Sequence, residues 1–299
     1  MSIVTGTYPH QNGITGNDPA EGGRLTVLGP IQALNPLPRT LATELGYTSF
    51  QTGKWWEGDY SYGGFTAGDT VNHLIPKPPQ WNTDPPSYVQ GGREGDWGLM
   101  AGRVDYVNDV AAPAHPIPYA NTVQTVTDFI DVQVAADQPF FVWYAPFLPH
   151  WPLDPPAGLL AEYTALGLVG DEAKYYANVE RFDGGVGAIL DHLDGHGITD
   201  NTLIVFICDN GRDTPVDPRG KKSPYEDGIR TPVIVHWPKR IRPGGELEPR
   251  IITTPVSLVD MVPTVHHALG LPVPPEMTGV DLMDLDAVNA RDTVFMEHH

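Results

Sequence analysis

The chain has 299 residues, a length that accommodates one large α/β domain or two ordinary ones. Hydrophobic residues make up 40% of it and no run of 18 apolar residues occurs, so neither a disordered chain nor a membrane-spanning helix is predicted. The formal net charge of −19 argues against nucleic-acid and anionic-membrane partners, which require basic surfaces.

The first residues, Met1 to Asp18, show neither the basic start nor the apolar core of a signal peptide. The sequence as written therefore predicts a cytoplasmic protein, with an export signal further upstream left open. The single cysteine, Cys208, rules out an internal disulfide. Its place in the apolar run LIVFICD favours a buried small hydrophobe over a reactive thiol.

Helical and strand-like patterns alternate along the chain. Apolar residues at helical spacing predict helices over 38–47, 120–135, 171–197 and 254–270. Apolar runs of strand length predict strands over 48–54, 139–147, 201–209 and 231–238. This order predicts an α/β fold in which a mostly parallel sheet is sandwiched between helices. We expect one domain over 1–299, with 58–114 as a long loop-rich insertion.

Polar residues that follow the predicted strands are the first candidates for a site, because ligands of such sheets bind beyond the carboxyl ends of the strands. Lys54 comes directly after one strand and can fix an anionic oxygen as a point charge, although a solvated lysine explains it equally well. His150 follows the next strand between prolines that stiffen its loop, which suits either a general acid or a packed loop histidine.

Asp209 and Asn210 end the strand LIVFIC and offer only oxygen ligands, the set that hard cations such as Ca²⁺ or Mg²⁺ prefer. Since Asn-Gly is also a common turn pair, a plain turn remains the alternative. Lys221 and Lys222 lie in GKKSPYEDGIRTP, a rare positive cluster on an acidic chain that a solvated loop also explains. His10, in TYPHQNG, is a further candidate for the site.

Taken together and in order, five stretches resemble the sulfatase family of the alkaline phosphatase superfamily. They are TGTYPHQNGITG, LATELGYTSFQTGKWWEGDY, PFFVWYAPFLPHWPLDPP, YYANVERFDGGVGAILDHLDGHGITDNTLIVFICDNG and GKKSPYEDGIRTPVIVHWPKRIRPGG. Each stretch is modest alone, but five in the right order are highly specific. The resemblance spans nearly the whole chain and implies a hydrolase of arylsulfatase type.

The family hydrolyses sulfate esters with a formylglycine made from the Cys or Ser of a C/S-x-P-S-R motif. Its Ca²⁺-type ion is held by two Asp after the first strand, by the nucleophile and by an Asp-Asn pair. The resemblance implies that Asp209 and Asn210 are this pair. It also implies that Lys54, His150 and Lys221 neutralise sulfate oxygens and assist the leaving group.

The sequence departs from the family at both ends. TGTYPHQNG corresponds to the residues directly after the nucleophile motif, so we expect a chain truncated at its N-terminus, with no formylglycine available in it. The paired metal-binding Asp residues, the first strand and the small C-terminal subdomain are likewise not found in the sequence. Trp56 stands where many members have a histidine. A missing central strand leaves an open sheet edge, which predicts a homo-oligomer.

Three functions remain open at this point. The first is a metal-assisted hydrolase of sulfuric or phosphoric esters with reduced or altered chemistry. The second is a metal-dependent phosphoesterase that uses water, acting promiscuously on phosphodiesters, phosphonates or phosphotriesters. The third is an inactive fragment that binds anions or a partner. We expect a small anionic ester as substrate, Ca²⁺ ahead of Mg²⁺, Mn²⁺ or Zn²⁺ as the metal, and substrate contacts from His10, Trp56 and Lys222.

Overall fold

The computed structural model of the chain describes residues 1–15, 30–53, 55, 60–68, 123–146, 148–150, 153, 155–212 and 217–297. These residues belong to two compact units. Unit 1 comprises Met1–Thr40, His196–Arg212 and Arg219–His299, and unit 2 comprises Leu41–Gly195 and Asp213–Pro218. Most of the predicted insertion 58–114 lies outside the described residues. The single domain predicted over 1–299 stays a prediction.

Unit 2 is built on a parallel sheet of three strands in the order β2-β1-β3. The strands are β1 (Thr48–Gly53), β2 (Ala67–Gly68) and β3 (Phe140–Ala145). The parallel arrangement predicted from the apolar runs is therefore present, and β1 and β3 pair along their whole length from Thr48↔Phe140 to Gly53↔Ala145. The carboxyl ends of these two strands consequently lie side by side.

Helices alternate with the strands of this sheet along the chain. Helix α3 (Leu37–Leu45) precedes β1, and α4 (Gln124–Ala135) lies between β2 and β3 in the sequence. Helices α5 (Ala157–Ala165) and α6 (Gly170–Gly195) follow β3. The helical spacing seen in the sequence explains how α4 packs, because Val126 and Ile130 are almost fully buried. The Phe129 ring of α4 stacks on Phe50 of β1 at 5.0 Å between ring centroids. One face of the sheet is thus covered by α4.

The opposite face of the unit 2 sheet is covered by aromatic side chains. The Trp55 ring makes edge contacts with Phe65 and with Trp143 of β3, at centroid distances of 5.2 Å and 6.3 Å. Phe65 in turn stacks on Phe141 at 5.9 Å. Helices on one side and packed aromatic residues on the other give the layered α/β architecture that the sequence predicted.

Unit 1 contains a pair of antiparallel strands, β4 (Ile204–Ile207) and β5 (Val233–His236), with Ile204 opposite His236. Its helices include α1 (Ser2–Thr5), α2 (Pro9–Asn12), α7 (Glu226–Ile229), α8 (Met261–Ala268) and α9 (Leu285–Asn289). The core is a cluster of Met261, Leu282 and Val288, against which inward side chains of both strands pack. The helix predicted over 254–270 begins only at Met261, so Pro263 lies in its first turn and does not kink it.

Among the residues that the structure describes, none of the helices combines the length and the apolar character that crossing a bilayer requires.

Candidate active site

The carboxyl ends of β1 and β3 lie side by side in unit 2. Gly53 has a φ of 81°, and a Cβ atom at this position would lie 1.9 Å from the carbonyl oxygen of Ala145. Only glycine allows the two strands to finish so close together. Lys54 follows at this point in the sequence. Lys54 and Trp56 themselves lie outside the described residues, so their predicted roles stay predictions.

His150 stands in the loop that leaves β3. The peptide bond between Leu148 and Pro149 is cis, and His150 follows it directly. The imidazole is half-buried. His150 therefore sits beyond the end of the strand that neighbours β1, where the sequence predicted a fixed histidine.

Asp209 and Asn210 leave the carboxyl end of β4 in unit 1. The Asp209 carboxylate is exposed, whereas Asn210 is half-buried. The side-chain Nδ2 of Asn210 donates a hydrogen bond to the carbonyl oxygen of Gly211 at 2.9 Å. This contact orients the amide and leaves its Oδ1 as an acceptor for another group. The Cys208 thiol, half-buried, lies 3.0 Å from the Asn210 carbonyl oxygen.

Two backbone hydrogen bonds hold the segment after β4 against the loop that carries Lys221. The Gly211 amide donates to the Gly228 carbonyl at 2.9 Å, and the Lys221 amide donates to the Arg212 carbonyl at 2.6 Å. A Cβ atom on Gly211 would lie 1.8 Å from the Asp227 carbonyl oxygen. Glycine at position 211 therefore permits the close approach between the segment after β4 and the loop that carries Lys221.

The two neighbouring lysines of this loop differ in their surroundings. Lys221 is half-buried, whereas Lys222 is exposed and has a φ of 68°, a left-handed conformation that is uncommon for a residue with a side chain. The catalytic role predicted for Lys221 and the substrate contact predicted for Lys222 both stay predictions.

His10 contacts the C-terminal part of the chain through its backbone amide and its imidazole. Its backbone amide donates to the Glu297 carboxylate at 3.1 Å, and its Nδ1 pairs with the other oxygen of the same carboxylate. The Tyr8 ring stacks on the imidazole, and Phe295 contacts it edge-on. The imidazole is largely exposed, so the substrate contact predicted for His10 stays a prediction.

Four further residues that make these contacts were not predicted from the sequence, namely Gly211, Gly228, Arg212 and Glu297. Gly211 carries a weak signal, since it directly follows the candidate residues Asp209 and Asn210 in DNG. Arg212 and Glu297 contribute through backbone and long-range contacts that leave no local pattern in the sequence.

The donor set at the end of β4 fits a hard divalent cation. The Asp209 carboxylate and the oriented amide oxygen of Asn210 are both oxygen donors, which such cations prefer. The metal-binding role predicted for this pair stays a prediction.

A known protein family matches most of the chain. The sequence model described as Sulfatase matches residues 1–271. The chain belongs to the sulfatase family. The resemblance noted from the sequence motifs is thereby confirmed.

Individual relatives of this sulfatase-family chain cover different parts of it. The Escherichia coli (strain K12) protein described as uncharacterized sulfatase YdeN is 26% identical in an alignment of 315 positions that covers 94% of this chain and 51% of that protein. The N-acetylgalactosamine-6-sulfatase of Canis lupus familiaris is 32% identical in an alignment of 179 positions that covers 54% of this chain and 33% of that protein. The chain thus spans about half, or less, of the length of these curated relatives.

Solved structures share the sulfatase fold. A crystal structure described as Ps i-CgsB in complex with k-i-k-neocarrahexaose superposes with a TM-score of 0.69 at 24% identity. The superposition covers 97% of this chain and 65% of that one. The α/β fold predicted from the sequence, of alkaline phosphatase and sulfatase type, is confirmed.

Proposed function

We propose that this chain provides the metal-binding and oxyanion-binding groups of a site that hydrolyses sulfate esters. The observation that carries the proposal is the pair of backbone hydrogen bonds at Gly211 and Lys221, which join the segment after the Asp-Asn pair to the loop that carries Lys221. Membership of the sulfatase family supports the choice of sulfate as the anion.

In this proposal the Asp209 carboxylate and the Asn210 Oδ1 hold a divalent cation, with Ca²⁺ as the first candidate and Mg²⁺, Mn²⁺ or Zn²⁺ as alternatives. When bound, the cation supplies positive charge close to the oxygens of the ester. Because Ca²⁺ takes six to eight oxygen ligands, water and further carboxylates are needed to complete the shell.

The other proposed roles, at the sulfate oxygens and at the departing alcohol, belong to side chains of the chain itself. Lys221 neutralises negative charge on the sulfate oxygens while a water molecule attacks sulfur, the ester S–O bond breaks and a proton of the water is released. Lys54 and His150 belong to unit 2, and the roles that the family resemblance implies for them, neutralising the sulfate and protonating the oxygen of the departing alcohol, stay predictions. Each such charge-assisted contact contributes about 2–4 kcal/mol of transition-state stabilisation in comparable sites.

The alcohol part of the ester is proposed to be a sugar. Support comes from the name of one relative, an N-acetylgalactosamine-6-sulfatase, which matches 54% of this chain. N-acetylgalactosamine 6-sulfate is therefore the first natural ester to test, beside a simple aryl sulfate.

The test measures cation binding and turnover in the same preparation. We expect Ca²⁺, added back after chelation, to raise the thermal midpoint of unfolding and to increase hydrolysis of 4-nitrophenyl sulfate. Asp209→Ala should abolish both effects. Asp200→Ala is the matched control, because Asp200 is also an exposed acidic residue of unit 1 near β4 and has no proposed role.

Other results of this test would distinguish between the alternative functions. Binding of Ca²⁺ without turnover of any ester would identify a chain that binds anions but does not catalyse. Faster hydrolysis of 4-nitrophenyl phosphate than of the sulfate would favour the phosphoesterase alternative. Unchanged behaviour of Asp209→Ala would overturn the proposed metal site.

A further inference from the structure

A carboxylate of the chain itself is held by two donors of His10. The backbone amide of His10 donates a hydrogen bond to one oxygen of Glu297 at 3.1 Å, and the imidazole Nδ1 pairs with the other oxygen. Because a carboxylate only accepts, Nδ1 carries a proton in this contact. Only 8% of the Glu297 side chain is exposed, against 58% of the His10 side chain. A shielded carboxylate needs donors that replace water, so the position beside His10 is one that holds negative charge.

The segment 291–297, here called the strap, brings this carboxylate to α2. At its start, Arg291 is anchored by two bonds to the buried carboxylate of Asp260, at 2.7 Å and 2.9 Å. Further along, the Phe295 ring packs edge-on against Tyr8, with 5.3 Å between the ring centroids. All of these residues belong to unit 1. The strap is therefore fixed at one end by an ion pair and at the other by its contacts with Tyr8 and α2.

The middle of the strap lies on the surface of unit 1. Residues 292–296 are all exposed, including the apolar side chains of Val294, Phe295 and Met296. Surface segments of this kind open locally at a lower free energy than the one needed to unfold a core. Glu297 can therefore leave His10 while the buried anchor at Arg291 and the core of unit 1 stay intact.

We propose that His10 forms a binding site for a small oxyanion and that Glu297 is the built-in competitor at this site. Sulfate, like a carboxylate, presents adjacent oxygens that accept hydrogen bonds and carry negative charge, so it suits the same two donors. A tethered ligand acts at a high effective concentration, so a free anion reaches the donors only when the strap opens. The strap is thus an autoinhibitory contact. The proposal concerns anion binding and rests on no step of ester hydrolysis.

The experiment titrates sodium sulfate into the whole chain by calorimetry at constant ionic strength. Glu297→Gln keeps the size of the side chain and removes its charge. We expect this variant to bind sulfate at least about fivefold more tightly than the wild-type chain, because a neutral amide competes less well than a carboxylate for the same donors. Adding His10→Ala to Glu297→Gln should cancel the gain. In a Lys221→Met background, Glu297→Gln should give the same gain relative to Lys221→Met alone.

A second variant weakens the strap without touching the carboxylate. Phe295→Ala removes the edge contacts with Tyr8 and with the His10 imidazole, and it should strengthen sulfate binding in the same direction but by less than Glu297→Gln does. The matched control is Glu276→Gln, which makes the same change of net charge at an exposed glutamate of unit 1 and should leave sulfate binding unchanged.

The proposal is overturned if Glu297→Gln binds sulfate no more tightly than Glu276→Gln, or if the gain survives His10→Ala. A lower thermal midpoint of Glu297→Gln without any gain in sulfate affinity would show that the contact only stabilises the fold, which also contradicts the proposal. A gain in sulfate affinity together with no ester hydrolysis in any variant would sustain the anion site and count against the proposed function. The two proposals therefore fail separately.

Discussion

Arg291 binds both carboxylate oxygens of Asp260, at 2.7 Å from Nη1 to Oδ2 and 2.9 Å from Nη2 to Oδ1. Asp260 is fully buried and also accepts hydrogen bonds from the backbone amides of Ser257 and Val280, at 2.7 Å and 2.9 Å. The bond to Asp260 is the main reason that the pKa of Arg291 is raised above its usual value. This buried ion pair joins α8 to the segment after α9 within unit 1.

Removal of one partner of this pair should destabilise the chain strongly. Arg291→Met leaves a buried carboxylate without its counter-ion, and breaking such a pair costs about 3–5 kcal/mol. Urea unfolding measures the loss. The control is Arg230→Met, which removes an exposed ion pair with Glu226 and should cost less than about 0.5 kcal/mol. Equal effects of the two variants would contradict a structural role for Asp260–Arg291.

Gly211→Ala tests how the candidate active site is assembled. The new Cβ would lie 1.8 Å from the Asp227 carbonyl oxygen, so the segment after β4 and the Lys221 loop must move apart. We expect a loss of roughly 1–3 kcal/mol in the free energy of unfolding, as for other overpacked positions, together with weaker Ca²⁺ binding.

The matched control for that variant is Gly187→Ala in α6, where nothing lies within 4 Å of the added Cβ. Alanine there should stabilise the helix by about 0.5–1 kcal/mol and leave Ca²⁺ binding unchanged. If Gly211→Ala binds Ca²⁺ as well as Gly187→Ala does, the close approach at Gly211 is not needed for the site.

The neighbouring lysines of the 220–229 loop provide a second matched pair. Lys221→Met should weaken inhibition of the chain by inorganic sulfate, or its direct binding, by roughly tenfold or more, since hydrogen bonds to charged groups contribute about 1.5–3 kcal/mol. Lys222→Met should have a smaller effect, because its side chain is exposed. Calorimetry with sodium sulfate at constant ionic strength measures both variants. The reverse ranking would assign the oxyanion contact to Lys222.

Glu246 should contribute a small pH-dependent term to stability. A side-chain hydrogen bond from Arg240 lowers the pKa of Glu246 below its ordinary value. The folded chain therefore binds fewer protons at this carboxyl than the unfolded chain does, so the stabilisation is fully present above the unfolded pKa, which is about 4.3. It is lost as the pH falls through the lower pKa of the folded state.

The measurement for Glu246 compares thermal midpoints of the wild-type chain and Glu246→Gln between neutral and acidic pH. The two curves should differ near pH 7 and converge in acid. The difference should be modest and should shrink in high salt, because the pair is exposed. A gap that widens as the pH falls would contradict the inferred direction of the pKa shift.

Several helices and strands could be predicted from the sequence because they depend on the local pattern of apolar residues. The apolar run 139–147 became β3, and the helical spacing in 120–135 became α4 with Val126 and Ile130 in the core. The strand-end position of Asp209 followed from the apolar run before it. Periodicity and strand length reflect which residues prefer burial, and that preference acts over short stretches.

Which residues of the long helix α6 are buried could not be predicted from local pattern. Tyr175, Phe182 and Leu193 are apolar residues of this helix at helical spacing, but the structure buries Asn178 and Arg181 more deeply than the two aromatic residues. The reason for this burial is the packing of β3 against α6, and not the spacing of apolar residues within α6. Gly185 lets β3 come so close that a Cβ there would lie 2.7 Å from the Tyr144 hydroxyl oxygen. Burial in this environment also raises the pKa of Tyr144, an effect that nearby Arg181 partly opposes.

By itself, the sequence determined the order of helices and strands, the sulfatase motifs and the polar residues that follow the strands. Tertiary structure alone decided that β4 pairs with β5 in antiparallel fashion, that Gly211 meets the Lys221 loop, and that Asp260 is paired with Arg291. These contacts join residues far apart in the chain, and their energies depend on distances and desolvation that no local pattern of residue types encodes.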